Sequence, residues 1–266
     1  SDLTMIQKTI GLLLTASLCS PCWAFSALVS PPRVEARSDA GKTYRSVIEI
    51  TNTSTQAERY SFKTADWTLD AHGGAVFQDT LMEGSCRQWV AIQARDATLK
   101  PNQRIRYRFE VQVPADAPAG ECRFALMIEG EAKVEKGSAG IPVSGQIGVI
   151  VYLAVGDAKS KAVLEHSGTQ LINQQQLPFL QIYNQGLAHA RLSGLIEGTD
   201  AAGQGWTFTP TSDPILPQLR RNISLQPIAD PERRRQTIQY PLHLKGSLDN
   251  QQQALPIDVV IQPTTP

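Results

Sequence analysis

Hydrophobic and polar positions alternate over a long stretch near the middle of the chain. From Ile141 to Val155 the odd positions are aliphatic except for Gly145, and most are β-branched, which suits a pleated strand. The even positions are polar, small or proline up to Gly148 and apolar after it. This pattern predicts one strand of about 15 residues, half exposed at its start and buried on both faces at its end. Pro142 removes a ladder hydrogen bond, so we expect the strand to begin at a sheet edge.

Shorter alternating segments, separated by turn-forming residues, make up the rest of the chain. Before the long stretch, strands are predicted over 25–36 (interrupted by Pro31-Pro32), 44–52, 58–67, 86–94, 104–113 and 121–129. After it, strands are predicted over 177–184, 190–197, 206–209, 222–226, 237–245 and 255–262. Turn signals recur roughly every 8 to 12 residues, which is typical of sandwiches. We therefore predict an all-β fold with two immunoglobulin-like β-sandwich domains in tandem.

The one strongly hydrophobic run lies at the N-terminus. Met5–Lys8 is a short basic start, Ile10–Leu18 an apolar core and Cys22–Ala24 a small-residue boundary. This arrangement is typical of a secretory signal peptide and is too short to span a bilayer. We predict a signal peptide over residues 1–24, a first domain over 25–156 and a second domain over 160–266, because the polar segment 156–161 is typical of a domain boundary.

Removal of the signal peptide leaves two of the four cysteines, Cys86 and Cys122. In an exported chain, two cysteines most simply form one disulfide. Closing a loop of about 37 residues would stabilise the fold by about 3 to 4 kcal/mol on the chain-entropy account. Two unpaired buried thiols are the alternative.

Composition and motifs argue against catalysis, metal binding and nucleic-acid binding. The 266 residues carry a formal net charge of zero, so no basic patch indicates nucleic acid. The mature sequence has no phosphate-binding loop, nucleophile elbow or paired CxxC. The four histidines are scattered, without metal-ligand spacing, and we expect them to be solvated: His72, His166, His189 and His243. We therefore expect no enzyme, no cofactor and no metal.

The first domain resembles the periplasmic pilus-assembly chaperones of the PapD-like family. The resemblance rests on the exported tandem sandwiches, on the Pro32-Arg33-Val34 segment of the first strand, and on the long alternating strand before the domain boundary. It implies that this strand is lent to a pilin subunit, whose sheet it completes by backbone hydrogen bonds while alternate side chains fill the subunit's groove. The inserted side chains would be those of Val143, Ile147, Val149 and Val151.

The resemblance also implies a role for Arg33 as the anchor of the subunit's terminal carboxylate, bound by a charge-assisted hydrogen bond in the cleft between the domains. An exposed edge-strand arginine without a partner is the alternative. The family usually pairs this arginine with a lysine, and Ile150 stands at that position, which indicates a divergent member. The implied partners are pilin subunits and an outer-membrane usher, and the implied compartment is the periplasm.

Two other functions remain open from the sequence. One is an exported structural or adhesive component of a surface fimbria, in which the two sandwiches act as a spacer or a ligand-binding module. The other is a carbohydrate-binding module that uses Trp67, Trp89 or Trp206 as a stacking platform. The long strand also has a simpler interpretation, in which its alternating apolar side chains face the core of their own domain.

Overall fold

The structure is a computed structural model that describes residues 26–70, 72–134, 142–229, 237–251 and 253–263. In these ranges the regular elements are β-strands apart from a short 3-10 helix, η1, over Arg87–Trp89. The predicted signal peptide, residues 1–24, lies outside them, and so does Ile141. Of the helices described, none has the length and apolar character needed to cross a membrane.

Residues 27–155 form two main sheets and a two-stranded ribbon. Their strands are β1 (Ala27–Ser30), β2 (Arg33–Ser38), β3 (Thr43–Asn52), β4 (Glu58–Leu69), β5 (Ala75–Gln78), β6 (Val90–Ile92), β7 (Asp96–Leu99), β8 (Arg104–Gln112), β9 (Gly120–Gly130), β10 (Lys133–Val134), β11 (Pro142–Val143) and β12 (Gln146–Val155). One sheet has the order β1-β3-β8-β6 and the other the order β2-β12-β9-β4-β5, with β7 paired to β4, while β10 and β11 form the ribbon. The chain changes sheets at Pro31-Pro32, where the sequence predicts an interrupted strand.

An apolar core lies between these two sheets. Successive side chains of a strand point to opposite faces, and the odd positions of β12 from Val149 to Val155 all point into the core. Phe124 of β9 packs edge-to-face on Phe109 of β8 within it. Cys86 and Cys122 are joined by a disulfide with their Cα atoms 5.3 Å apart, which confirms the predicted pairing.

The second part of the chain, residues 162–261, has its own sheet and its own core. Its strands are β13 (Ala162–Ile172), β14 (Gln175–Asn184), β15 (Leu192–Ser193), β16 (Ile196–Thr199), β17 (Gly205–Pro210), β18 (Arg220–Pro227), β19 (Leu242–Asn250) and β20 (Gln253–Ile261). They follow the order β13-β14-β18-β17-β16-β19-β15, with β20 paired to β19, and enclose Leu180, Phe208 and Leu244. The prediction of an all-β, tandem immunoglobulin-like fold is confirmed; the exact domain limits stay a prediction.

The observed strands differ from the predicted ones in several places. The stretch 141–155 is not one strand, because Ser144 and Gly145 separate β11 from β12. The segment 86–94 begins with η1, and only β6 within it is a strand. The sequence pattern does not indicate β13, the longest strand of the second part, because its polar residues do not alternate cleanly and a bulge shifts its register after Leu164.

Hydrogen bonds fix the backbone of the segment that connects the two parts of the chain. Arg37 of β2 donates to the carbonyl oxygens of Gly156 and Ala158, at 2.8 and 2.9 Å. The turn after β14 packs against the same connection, and a Cβ placed on Gly186 would lie 2.3 Å from the carbonyl oxygen of Lys159. Only glycine allows this approach, so the second part is seated closely on the connecting segment.

Candidate functional site

Strand β12 is paired along the whole of one edge but along only part of the other. Its ten residues pair antiparallel with β9 on one side, whereas β2 pairs with it in parallel on the other side only from Ile150 onward. Among the described residues, no strand pairs with the outer edge of Gln146–Val149. A row of unpaired backbone donors and acceptors at such an edge is a template for another strand. We call Gln146–Val149 the open edge.

The backbone groups that point outward from the open edge follow from the ladder. Bonded and non-bonded pairs alternate in antiparallel strands. The amide of Gly130 donates to the carbonyl of Gly145 at 3.0 Å, which makes these two residues a bonded pair. Ile147 and Val149 therefore turn their backbone groups toward β9, and Gln146 and Gly148 turn theirs outward. The open edge thus presents the N–H and C=O groups of Gln146 and Gly148.

The structure gives the four predicted insertion residues different positions. Val149 and Val151 are both 0% exposed and lie in the core of their own sandwich. They cannot enter a partner without leaving that core, so the prediction that they are inserted is corrected. The same alternation of apolar residues in β12 suits insertion into a partner and packing in the chain's own core. Only the position of the facing sheet decides between the two. Ile147, two positions before Val149 on β12, is half-buried, and Val143 lies in the ribbon opposite Lys133.

Arg33 lies where the open edge ends. It is the first residue of β2, and its register partner on β12 is Ile150, the residue at which coverage begins. Its side chain is 46% exposed, and Nε lies 2.6 Å from Oε1 of Glu35. A strand added along the open edge would lie in line with β2. If it ran parallel to β12, its C-terminal end would come against Arg33.

Next to Arg33, charged side chains from both parts of the chain meet. Oε1 of Glu35 lies 3.4 Å from Nη2 of Arg191 and 3.4 Å from Nε2 of His189. On the other side of the imidazole, Nδ1 lies 2.6 Å from Oε2 of Glu121, which also accepts the amide hydrogen of His189 at 2.9 Å. The His189 ring packs on the ring of Tyr152 from β12, with centroids 4.0 Å apart. We call Glu35, Glu121, His189 and Arg191 the junction cluster.

The junction cluster favours a charged imidazole. Burial lowers the pKa of His189, but hydrogen bonds to Glu121 and Glu35 outweigh this effect and raise that pKa above its ordinary value of 6.5. The hydrogen bond to His189 is the main reason that the pKa of Glu35 falls to about 2, and the nearby positive charges of Arg33 and Arg191 add to it. In the charged form of the ring, Nδ1–H faces Glu121 and Nε2–H faces Glu35.

His189 is the residue of this region whose importance does not show in the sequence. It was expected to be solvated, yet its side chain is only 6% exposed. The partners that bury it, Glu35 and Glu121, lie more than 60 positions away in sequence. Nothing in the local pattern around His189 indicates them.

Two further expectations concern aromatic and metal sites. Trp67 is 5% exposed, and its indole N–H donates to the Phe124 carbonyl at 3.3 Å, so its ring is not a free stacking platform. In the described ranges no group of three or more His, Cys, Asp or Glu residues is arranged to hold a metal ion.

The sequence matches no protein-family model and no curated protein. The fold, in contrast, is similar to that of solved chaperone structures. It matches the YadV chaperone with a TM-score of 0.50 at 9% identity, over 89% of this chain and 100% of that chain. A second match is the CupB2 chaperone of Pseudomonas aeruginosa, with a TM-score of 0.46 at 12% identity, over 88% of this chain and 100% of that chain. A third is CsuC, in a complex with the tip subunit CsuE from Acinetobacter baumannii, with a TM-score of 0.45 at 13% identity, over 90% of this chain and 100% of that chain.

The match to YadV shows that this chain has a fold like that of a solved chaperone, in agreement with the fold that the resemblance in the sequence implies. Because the match to YadV extends over 89% of this chain, the similarity includes both sandwiches and not the first alone. With identities this low, the comparison concerns the fold.

Proposed function

We propose that this chain is a periplasmic chaperone, from a divergent branch of the PapD-like family, that binds a fimbrial subunit by lending it the open edge of β12. The observation that carries the proposal is that β12 is covered along Ile150–Val155 and open along Gln146–Val149. A subunit strand would bond to the outward groups of Gln146 and Gly148 and extend the sheet by β-augmentation. The YadV chaperone, whose fold this chain shares, supports the assignment.

Side chains would add register to this backbone pairing. Ile147 has an apolar side chain that is only half-buried. Val143 is the next candidate toward the N-terminus, and its insertion stays part of the proposal. Val149 and Val151 support the strand from within the chaperone's own core. A fully buried aliphatic side chain contributes about 1.5 to 3 kcal/mol to binding before the costs of association. Because fewer than four side chains are inserted here, backbone hydrogen bonds supply a larger share of the binding free energy.

The orientation of the subunit strand follows from the position of Arg33. A subunit strand that runs parallel to β12 ends at Arg33, where its terminal carboxylate would accept a charge-assisted hydrogen bond. The lysine that the family usually places beside this arginine is absent, since Ile150 stands there. The anchor is therefore a single arginine on this account. Delivery to an outer-membrane usher, export by the signal peptide 1–24, and domains over 25–156 and 160–266 complete the proposal.

The test replaces one outward-facing amide. Gln146→Pro removes the N–H that points away from β9, and Gln146→Ala changes the same exposed side chain but keeps that N–H. Tagged mature proteins are used to capture partners from periplasm. We expect the wild type and Gln146→Ala to retain a small β-rich subunit in a one-to-one ratio and Gln146→Pro to lose it while its circular dichroism stays unchanged. Equal retention by all three would refute use of the open edge. An assembled surface location for the chain itself would instead favour the structural or adhesive component.

A further inference from the structure

Arg33 is already occupied by a carboxylate of its own strand. Arg33 and Glu35 are two positions apart on β2, so both point away from the core into which Val34 is buried. Their 2.6 Å contact is the ion pair that Arg33 makes among the described residues. A terminal carboxylate that reached Arg33 would meet Glu35 there first.

The same carboxylate oxygen also faces the second part of the chain. Oε1 of Glu35 is 2.6 Å from Arg33 but 3.4 Å from both His189 and Arg191. One oxygen is thus divided between a short contact on its own strand and two longer contacts across the junction. Arg37, the other arginine on this face of β2, is bound to the carbonyls of Gly156 and Ala158 and does not compete for Glu35.

We propose that Glu35 is an internal carboxylate that holds Arg33 until the carboxylate of a client replaces it, and that the displaced Glu35 then closes on His189 and Arg191. The inference rests on the proposed function, because it takes Arg33 as the anchor. It adds a residue that sets the affinity of that anchor and links client capture to the contact between the two parts of the chain.

The exchange is balanced in charge, which makes it reversible. One carboxylate leaves Arg33 as another arrives. Glu35 gives up a contact to a side chain that is nearly half exposed and shortens its contacts to His189 and Arg191, whose side chains are 6% and 13% exposed. Charges interact more strongly where water is excluded, so the new contacts offset the lost one. By linkage, a client at Arg33 strengthens the junction cluster to the same degree that a closed junction cluster strengthens client binding.

The experiment uses a probe that mimics a chain end. N-acetylglycine carries one peptide carboxylate, and N-acetylglycinamide is its neutral twin. Binding is followed at the Nε–Hε resonance of Arg33 in the mature protein, in the wild type and in Glu35→Gln. Glu165→Gln is the matched control, because it releases Arg220 from a similar ion pair elsewhere on the surface. In each protein the imidazole resonance of His189 is titrated with pH, with and without the probe.

We expect Glu35→Gln to bind N-acetylglycine about two- to five-fold more tightly than the wild type, as release of an exposed ion pair allows. Glu165→Gln should not show this gain in affinity, and neither should binding of the neutral N-acetylglycinamide. The probe should raise the pKa of His189 in the wild type and leave it unchanged in Glu35→Gln. Equal affinities of wild type and Glu35→Gln, or a His189 titration that ignores the probe in both, would overturn the role of Glu35 and leave the anchor standing. An Arg33 resonance that responds in neither protein would remove the anchor and this inference together.

Discussion

Loss of the charge on Glu121 should weaken the protein in a pH-dependent way. The Glu121 side chain is 1% exposed and binds the imidazole of His189 at 2.6 Å, its amide at 2.9 Å, and Nη1 of Arg123 at 3.1 Å. Glu121→Gln keeps the shape and one acceptor oxygen but removes the charge. A hydrogen bond to a charged group contributes about 1.5 to 3 kcal/mol, and breaking a buried pair outright costs about 3 to 5 kcal/mol. We expect a loss of about 2 to 3 kcal/mol in the free energy of unfolding at about pH 6.

The pH dependence follows from the sign of the His189 shift. Its pKa in the folded chain lies above the ordinary value of 6.5, so the stabilisation is complete below pH 6.5 and is lost as the pH rises through the folded pKa. The difference between wild type and Glu121→Gln should therefore shrink as the pH rises. Urea unfolding at about pH 6 and about pH 9 measures it. Glu110→Gln, which opens the exposed ion pair with Arg45, should change stability by less than about 0.5 kcal/mol at either pH. A loss for Glu121→Gln that is the same at both values would refute the charged imidazole.

Two further predictions concern packing and the disulfide. A Cβ on Gly148 would lie 2.3 Å from Cζ of Phe77, so Gly148→Ala should lower the free energy of unfolding by about 1 to 3 kcal/mol. This loss should disappear in a Phe77→Ala background, and a loss that persists there would contradict the clash. Replacing Cys86 and Cys122 by serine should lower the free energy of unfolding by about 3 to 4 kcal/mol in urea melts, and an unchanged midpoint would mean that the bond does not constrain the unfolded chain.

The strand pattern could be predicted from the sequence because it is a local property. Alternation and turn residues placed β3, β4, β8 and β9 within a few residues of their observed limits. The same alternation led to the wrong prediction that Val149 and Val151 insert into a partner. A period of two indicates which residues share a face of the strand, but not what packs against that face. Whether it is the chain's own sheet or a partner depends on the position of β8 and β3, which is a tertiary property.

The candidate site could be predicted only in part for the same reason. Arg33 could be singled out because it lies in a short motif, and its register partner is Ile150, while its role as an anchor stays a prediction. The junction cluster was not found, because Glu35, Glu121 and His189 come together only when the second part of the chain packs on the first. A buried polar cluster formed from distant segments leaves no periodic signal in any of them.

The most direct test of the central claim is hydrogen exchange along β12. In the free chain, the amides of Gln146 and Gly148 should exchange quickly, while those of Ile147 and Val149, bonded to β9, should be protected. Binding of a captured subunit should protect Gln146 and Gly148 and leave the protection of the other two unchanged. If Gln146 and Gly148 are already protected in the free chain, or still exchange quickly in the complex, the open edge is not the surface that holds a subunit.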